Sequence, residues 1–173
     1  DSASNDDAVG ALVGTGQGKA CCEGMDLSVD GNVFGLNEAL TPTMEDMDKR
    51  LDDPEIVAGV RDLGGRVTLA IYDCNKPVIA AINGLCYGGG VELGLSCDIV
   101  LASENATFCL VENQLGAIPA SGACNRMIHH VGLAKTKELI ITADPIHAAE
   151  ARRIGLISQV YKHDVFMDRV YTY

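Results

Sequence analysis

The sequence contains no tryptophan and few basic residues. Thirteen Lys and Arg stand against 24 Asp and Glu, which gives a formal net charge of −11 at pH 7. This balance argues against nucleic acid or an anionic membrane as a partner, because both need a basic face. We expect no secretory signal in the polar amino end, DSASNDD. No apolar run approaches the roughly 20 residues that a membrane-spanning helix requires.

The sequence also lacks the common metal and redox motifs. Its seven cysteines include no CxxC pair, and its four histidines include no HExxH pattern. Most of the cysteines lie within apolar runs, where a thiol behaves as a small hydrophobic side chain. We therefore expect reduced core thiols in an intracellular protein, with redox or metal roles as the less favoured alternative.

Apolar residues and glycine are plentiful. Of the 173 residues, 47% are hydrophobic and 19 are glycine. A chain of this length and composition forms one domain with a packed core. Strand-like and helix-like segments alternate along it, which predicts an α/β fold. We predict strands at residues 9–14, 77–82, 98–102, 107–110 and 156–161, and helices at 54–75, 88–97, 121–131, 133–140, 144–155 and from 164 onward.

The helix limits rest on particular residues. Asp53 and Pro54 suit the start of a long amphipathic helix. Ser121 is predicted to cap the helix that Gly132 ends. Residues 28–51 lack periodicity, so we predict a solvated loop with a short surface helix, a segment that is also placed to cover a substrate channel.

The stretch from Lys76 to Val91, KPVIAAINGLCYGGGV, organises the rest of the chain. Its apolar run is typical of a strand covered on both faces, and Asn83-Gly84 is turn chemistry. The three glycines from Gly88 allow close approach of a ligand to the backbone. A helix that starts here presents free N–H groups, which suits a developing negative charge. Residues 14–20 resemble a phosphate loop but lack its spacing, so we discount nucleotide binding.

Two glutamates carry the predicted chemistry. Glu92 follows the glycines, and Glu112 lies 20 residues later in an apolar context. A single glutamate is most often a surface carboxylate, but the apolar or glycine flanks of these two argue against that interpretation. Two that converge on one cavity can hold a water and divide acid and base work. The N–H groups at Gly89 and near Gly24 are candidates for an oxyanion hole.

Three segments resemble the crotonase (enoyl-CoA hydratase/isomerase) family. They are NGLCYGGGVELGLSCDIVLAS, ATFCLVENQLGAIPASG and AAEARRIGLISQVY, and GTGQGKACCEGMDL matches an earlier turn of the family. The resemblance covers residues 9–27 and 54–165. It implies a ββα spiral with helices packed around the sheets, and an acyl-CoA thioester as substrate. Residues 1–173 then form a single core domain, without the strands and trimerisation helices that family members carry at their two ends.

The resemblance assigns roles to individual residues. Glu92 matches the glutamate that activates water, and Glu112 matches the one that protonates Cα. Met25 and Gly89 match the two N–H donors of the oxyanion hole. The family requires no cofactor, since coenzyme A is part of its substrate, and no metal.

The coenzyme A contacts are expected in the segment that contains Lys19, Cys21, Glu23 and Leu27. Lys19 matches a basic position near the phosphates. Glu23 stands where small residues are usual, and Met25 is bulkier than the common alanine. The resemblance also implies a homotrimer or hexamer at full length. It implies a peroxisomal or mitochondrial location in a eukaryote, and a cytoplasmic one otherwise.

Within the family, Glu92 favours an enoyl-CoA hydratase. The Δ3-Δ2-enoyl-CoA isomerases typically lack this glutamate. The dienoyl-CoA isomerases carry an acid where this chain has Ala120. An isomerase remains the alternative enzyme, and a catalytically silent acyl-CoA-binding or interaction protein is the alternative outside catalysis.

Overall fold

The structure is a computed structural model, and it describes residues 2–24 and 66–173. These residues form eight strands and five α-helices. The strands are β1 Leu12–Thr15, β2 Ala20–Cys22, β3 Val78–Ile82, β4 Leu85–Tyr87, β5 Ile99–Ser103, β6 Thr107–Cys109, β7 Ile146–His147 and β8 Gln159–Tyr161. The α-helices are α1 Arg66–Tyr72, α2 Gly89–Gly94, α3 Ala123–Thr142, α4 Ala148–Arg153 and α5 Phe166–Tyr171. Short 3-10 helices occupy Ala3–Asn5, Val111–Leu115 and His163–Val165.

The strands form two four-stranded sheets. The first sheet has the order β1-β3-β5-β8 and is parallel throughout. The second has the order β2-β4-β6-β7, with only β7 antiparallel to its neighbour. Along the chain the strands alternate between the two sheets from β1 to β6, β7 stays in the second sheet, and β8 returns to the first. The α/β prediction is confirmed by this arrangement.

Strand β3 is covered on both faces, as its unbroken apolar sequence predicts. Ala80 and Ile82 belong to a large core cluster that also contains Phe108 of the second sheet. Ala81, which points the opposite way, packs in a second cluster with Leu101 and with Phe166 of α5. Successive side chains of a strand point to opposite faces, so one five-residue strand contributes to both layers of the core.

Several local predictions need correction. The sequence did not indicate β2, β4 or β7, all of which belong to the second sheet. Ser121 does not cap α3; the cap position is Gly122, with φ 85°, and it forms no side-chain cap hydrogen bond. The break at Gly132 is confirmed, since this residue has non-helical angles within α3.

Two predictions fall largely outside the described residues. These are the segment 28–51 and the start of the long helix at Asp53-Pro54. Only the last part of that predicted helix is described, as α1.

Candidate active site

Both glutamates lie beside the same pair of glycines. Glu92 sits in the first turn of α2, and Glu112 sits in the 3-10 helix that follows β6. A Cβ placed on Gly88 would lie 3.1 Å from Glu112 Oε1, and one placed on Gly89 would lie 3.9 Å from Glu92 Oε2. Both carboxyl groups therefore lie against the same glycine turn.

The glycine turn is held by backbone geometry that favours glycine. Gly88 caps α2 with φ 49° and ψ −118°, in the left-handed half of the map. Its N–H donates to the carbonyl of Cys109 at the end of β6, over 2.9 Å. This bond ties the start of α2 to the segment that carries Glu112. A side chain at Gly88 would add strain and crowd that carboxyl group.

Glu92 is almost fully buried and is fixed by a backbone donor. Only 8% of its surface is exposed. The N–H of Ala120 donates to Glu92 Oε1 over 2.7 Å. Oε1 is therefore occupied, while Oε2 lies on the side of Gly89. A charge-assisted bond of this kind fixes the orientation of the carboxylate.

Glu112 has a different environment. Burial raises the pKa of Glu112 above its usual value, its own backbone N–H opposes the shift, and the charge of Glu92 adds to it. Its Oε2 atom is buried and has no hydrogen-bond partner among the described residues. A buried carboxyl oxygen without a donor favours the protonated form. Burial is therefore the main cause of the raised pKa of Glu112.

Gly89 is the first residue of α2, and its N–H precedes the internal hydrogen bonding of that helix. The N–H groups of Val91 and Glu92 both donate back to the carbonyl of Gly88. Gly24 packs against this point, because a Cβ on Gly89 would lie 3.5 Å from Gly24 Cα. The segment that leads directly to Met25 therefore meets the glycine turn. Met25 itself lies outside the described residues.

Three of the four predicted coenzyme A residues, Lys19, Cys21 and Glu23, lie in or beside β2. Lys19 and Glu23 are exposed, and Leu27 lies outside the described residues. Cys21 is half-buried and packs against the main core cluster. Burial raises the pKa of the Cys21 thiol, and the neighbouring Cys22 adds to this effect. Among the predicted contacts that the structure describes, Lys19 and Glu23 are thus the two with exposed side chains.

All seven cysteines are free thiols, and Cys86 and Cys109 are buried. Burial is the main cause that raises the pKa of the Cys97 thiol, to about 11. The thiol of Cys124 lies near the site. Burial is the main cause that raises the pKa of Cys124. The backbone N–H of Cys124 lowers this pKa, and the charges of Glu112 and Glu92 raise it.

Sequence reasoning missed the role of the turn from Pro119 to Gly122. In the sequence, Ala120 was informative only because it lacks an acidic side chain. In the structure, its main-chain N–H donates a hydrogen bond to Glu92. Ser121 and Gly122 both have positive φ, of 47° and 85°. The glycine was a possible signal for such a turn, but the side chains of this segment do not encode where an N–H points.

The described ranges contain no group of three or more His, Cys, Asp and Glu side chains placed to hold a metal ion. Every helix within residues 2–24 and 66–173 is too short or too polar to span a membrane.

The chain has the crotonase fold, with two sheets and with the carboxyl groups of Glu92 and Glu112 at a glycine-rich turn, as its match to solved structures shows. A crystal structure of an enoyl-CoA hydratase from Bacillus anthracis matches with a TM-score of 0.79 at 31% identity, over 99% of this chain and 59% of that one. The family model described as Enoyl-CoA hydratase/isomerase matches residues 58–172. The chain belongs to this family, as its motifs predicted.

The curated relatives include both hydratases and an isomerase. The chain is 36% identical over 172 residues to the short-chain-enoyl-CoA hydratase of Clostridium acetobutylicum, covering 95% of this chain and 56% of that protein. It is 35% identical over 153 residues to the peroxisomal Delta(3,5)-Delta(2,4)-dienoyl-CoA isomerase of Arabidopsis thaliana, covering 88% and 52%. The chain thus spans about half the length of the curated relatives it matches.

Proposed function

We propose that this chain is the core of an enoyl-CoA hydratase, which adds water across the 2,3 double bond of a 2-enoyl-CoA thioester. The observation that carries the proposal is that the carboxyl groups of Glu92 and Glu112 lie beside Gly88 and Gly89 in two different environments. Glu92 is oriented by the Ala120 N–H, and Glu112 has a raised pKa. Such a difference suits a division into base and acid.

In the proposed reaction, water attacks Cβ and gives a proton to Glu92. The electron pair of the double bond moves toward the thioester, and negative charge develops on its carbonyl oxygen. Glu112 donates its proton to Cα, which completes the addition of H and OH. A proton then passes from Glu92 to Glu112 through solvent and restores the starting state. No redox step occurs, so the chemistry requires no cofactor beyond the coenzyme A of the substrate.

The N–H groups of Gly89 and Met25 are the proposed donors to the thioester oxygen. The free position of the Gly89 N–H at the start of α2 and the approach of Gly24 support this assignment. Fixed donors of this kind stabilise a transition state because they need no reorganisation, and removal of one typically costs about 3–4 kcal/mol. Lys19, Cys21, Glu23 and Leu27 are the proposed coenzyme A contacts, with Lys19 as the cation for the phosphates.

An isomerase of the same family is the second candidate, because the chain resembles a dienoyl-CoA isomerase at 35% identity. Ala120 stands where the dienoyl-CoA isomerases carry an acid, and its lack of a carboxyl group favours the hydratase. A silent acyl-CoA binder is the third possibility.

The decisive experiment supplies crotonyl-CoA and longer 2-enoyl-CoAs to the full-length polypeptide and follows the loss of conjugated thioester absorbance. We expect turnover. Shift of a double bond in 3-enoyl-CoA or dienoyl-CoA without hydration would replace the hydratase by an isomerase. Coenzyme A binding without turnover of any isomer would establish the silent binder.

Glu92→Gln is expected to slow hydration by about 100-fold, which lies in the usual range for acid–base groups. Glutamine keeps an oxygen for the Ala120 N–H, so the change removes the charge and leaves the orientation. Steady-state rates on crotonyl-CoA measure the effect. A rate close to that of the unmodified protein would show that Glu92 is not the base.

We further propose that residues 1–173 form one core domain, that the full-length protein assembles as a homotrimer or hexamer, and that it works inside the cell. A peroxisomal or mitochondrial location is proposed for a eukaryotic source, and the cytoplasm otherwise. Light scattering of the full-length protein tests the assembly, and a carboxyl- or amino-terminal fluorescent fusion tests the compartment.

A further inference from the structure

The contact between Ala120 and Glu92 depends on a turn in an unfavourable conformation. The N–H of Ala120 reaches Glu92 Oε1 at 2.7 Å. The next two residues, Ser121 and Gly122, have φ of 47° and 85°. Serine adopts positive φ at a cost in free energy, so such a conformation persists only where neighbouring groups hold it. The direction of the Ala120 N–H therefore depends on what holds this turn.

The side chain of Arg126 contacts the turn directly. Its Nη1 donates to the carbonyl of Ser121 over 2.6 Å, and its own N–H donates to the carbonyl of Gly122 over 2.9 Å. The guanidinium lies against Gly122, since a Cβ at that glycine would come within 2.5 Å of Nη1. Residue 122 is thus a glycine for two reasons, its positive φ and the space that Arg126 takes.

The same guanidinium also contacts helix α1. It lies over the ring of Tyr72 in α1, 5.4 Å from the ring centroid, which is within the distance of a cation–π contact. Arg126 therefore joins α1 to the turn that orients Glu92. Its side chain is half-buried, which strengthens a charged hydrogen bond relative to one in water.

We propose that Arg126 is a positioning residue, whose guanidinium holds the turn from Ala120 to Gly122 so that the Ala120 N–H points at Glu92. Without it, the Ser121 peptide is free to leave the left-handed region, and the N–H turns away from the carboxylate. The effect on turnover rests on the proposed hydratase function. The effect on the backbone of residues 117–123 does not.

The test uses the full-length polypeptide and compares Arg126→Ala, Arg126→Lys and a matched control, Arg152→Ala, which removes an exposed arginine of α4. Hydrogen exchange of the peptide covering residues 117–123 is measured together with kcat and KM on crotonyl-CoA. Millimolar guanidinium, far below denaturing concentrations, is then added to each variant.

We expect Arg126→Ala to lower kcat by about 10- to 100-fold with KM within about threefold, because the damage is to orientation. Exchange of residues 117–123 should rise, and guanidinium should restore part of kcat. Lysine should act between the two, since it donates to Ser121 but lacks the planar group that stacks on Tyr72. Arg152→Ala should match the unmodified protein in all three measurements.

Unchanged exchange of residues 117–123 in Arg126→Ala would overturn the proposal, whatever the activity. Faster exchange across the whole chain, with no rescue by guanidinium, would also overturn it and would indicate a merely structural arginine. An unmodified protein that hydrates no enoyl-CoA would instead refute the proposed function, and the exchange measurement would still decide the role of Arg126.

Discussion

Glu112→Gln is expected to lower the rate of hydration by about 10³- to 10⁴-fold, the upper part of the range for acid–base groups. Glutamine has the size of glutamate but carries no acidic proton for Cα. KM should change little, because the amide occupies the same space beside Gly88. Steady-state kinetics on crotonyl-CoA measure the loss. Glu138→Gln, on the exposed side of α3, is the control and should leave the rate unchanged.

The same substitution should make the protein more stable at neutral pH. The pKa of Glu112 is raised in the folded state, chiefly by burial. A raised folded pKa means stability that is fully present below the unfolded pKa, about 4.3, and that is lost as pH rises through the folded value. Glutamine is neutral throughout and avoids this loss.

Urea unfolding between pH 4 and 8 tests the sign. Glu112→Gln should exceed the unmodified protein in stability at pH 7 and converge with it near pH 4. A variant that is less stable at pH 7 would contradict a carboxyl group whose burial raises its pKa. If Glu112→Gln loses activity and gains stability, Glu112 is a residue that is required for function and lowers the stability of the folded protein.

The first sheet was predictable from the sequence, and the second largely was not. β1, β3, β5 and β8 overlap the strands that the apolar runs indicated, and β3 and β5 each contain five residues. A buried strand of this length leaves a continuous apolar run that can be read without knowledge of the fold.

The second sheet consists of strands of two or three residues. No periodicity can be read from so few residues. β4 follows β3 after only two residues, and its pairing with β2 joins segments more than 60 positions apart. Tertiary pairing therefore determines these strands, and only β6, which lies within the largely apolar run at 106–111, was recognised.

The residues of the candidate site likewise fall into those that the sequence indicates and those that it does not. Glu92, Glu112 and Gly89 could be proposed from the sequence because side-chain type and glycine content can be read there directly, and the structure brings all three to one turn. Ala120 and Arg126 act through a main-chain N–H and a bond to a carbonyl, neither of which has a sequence signature. Ser121 was misread as a helix cap for a related reason: its side chain suits a cap, whereas its positive φ depends on tertiary contacts.

The glycine turn offers a test that does not depend on the reaction. Gly90 and Gly94 both lie in α2, and both are buried. A Cβ on Gly90 would overlap the carbonyl oxygen of Cys22 and lie 3.1 Å from Cys22 Cβ. The obstructing atoms are mainly backbone of β2, which cannot move aside as a flexible side chain can. A Cβ on Gly94 would meet only Ile82 Cδ1, at 4.0 Å, an ordinary contact.

Gly90→Ala should therefore destabilise the protein by about 3 kcal/mol, near the upper end of typical overpacking. Gly94→Ala should be neutral or stabilising by up to about 1 kcal/mol, because alanine reduces the freedom of the unfolded chain. Urea unfolding of both variants gives the difference. Equal stabilities would show that α2 does not need its close approach to β2.

The activities of the two variants should follow the same order as their stabilities, with Gly90→Ala below Gly94→Ala. Gly90→Ala forces α2 away from β2, and this displacement moves the Gly89 N–H and Glu92 together. A shift of about 1 Å in such groups costs on the order of 100-fold in rate. Gly94→Ala should keep full turnover, since it lies one turn further from the substrate side of the helix. A fully active Gly90→Ala would mean that the oxyanion donor is not at Gly89, because no arrangement of α2 accommodates the new methyl group without moving that N–H.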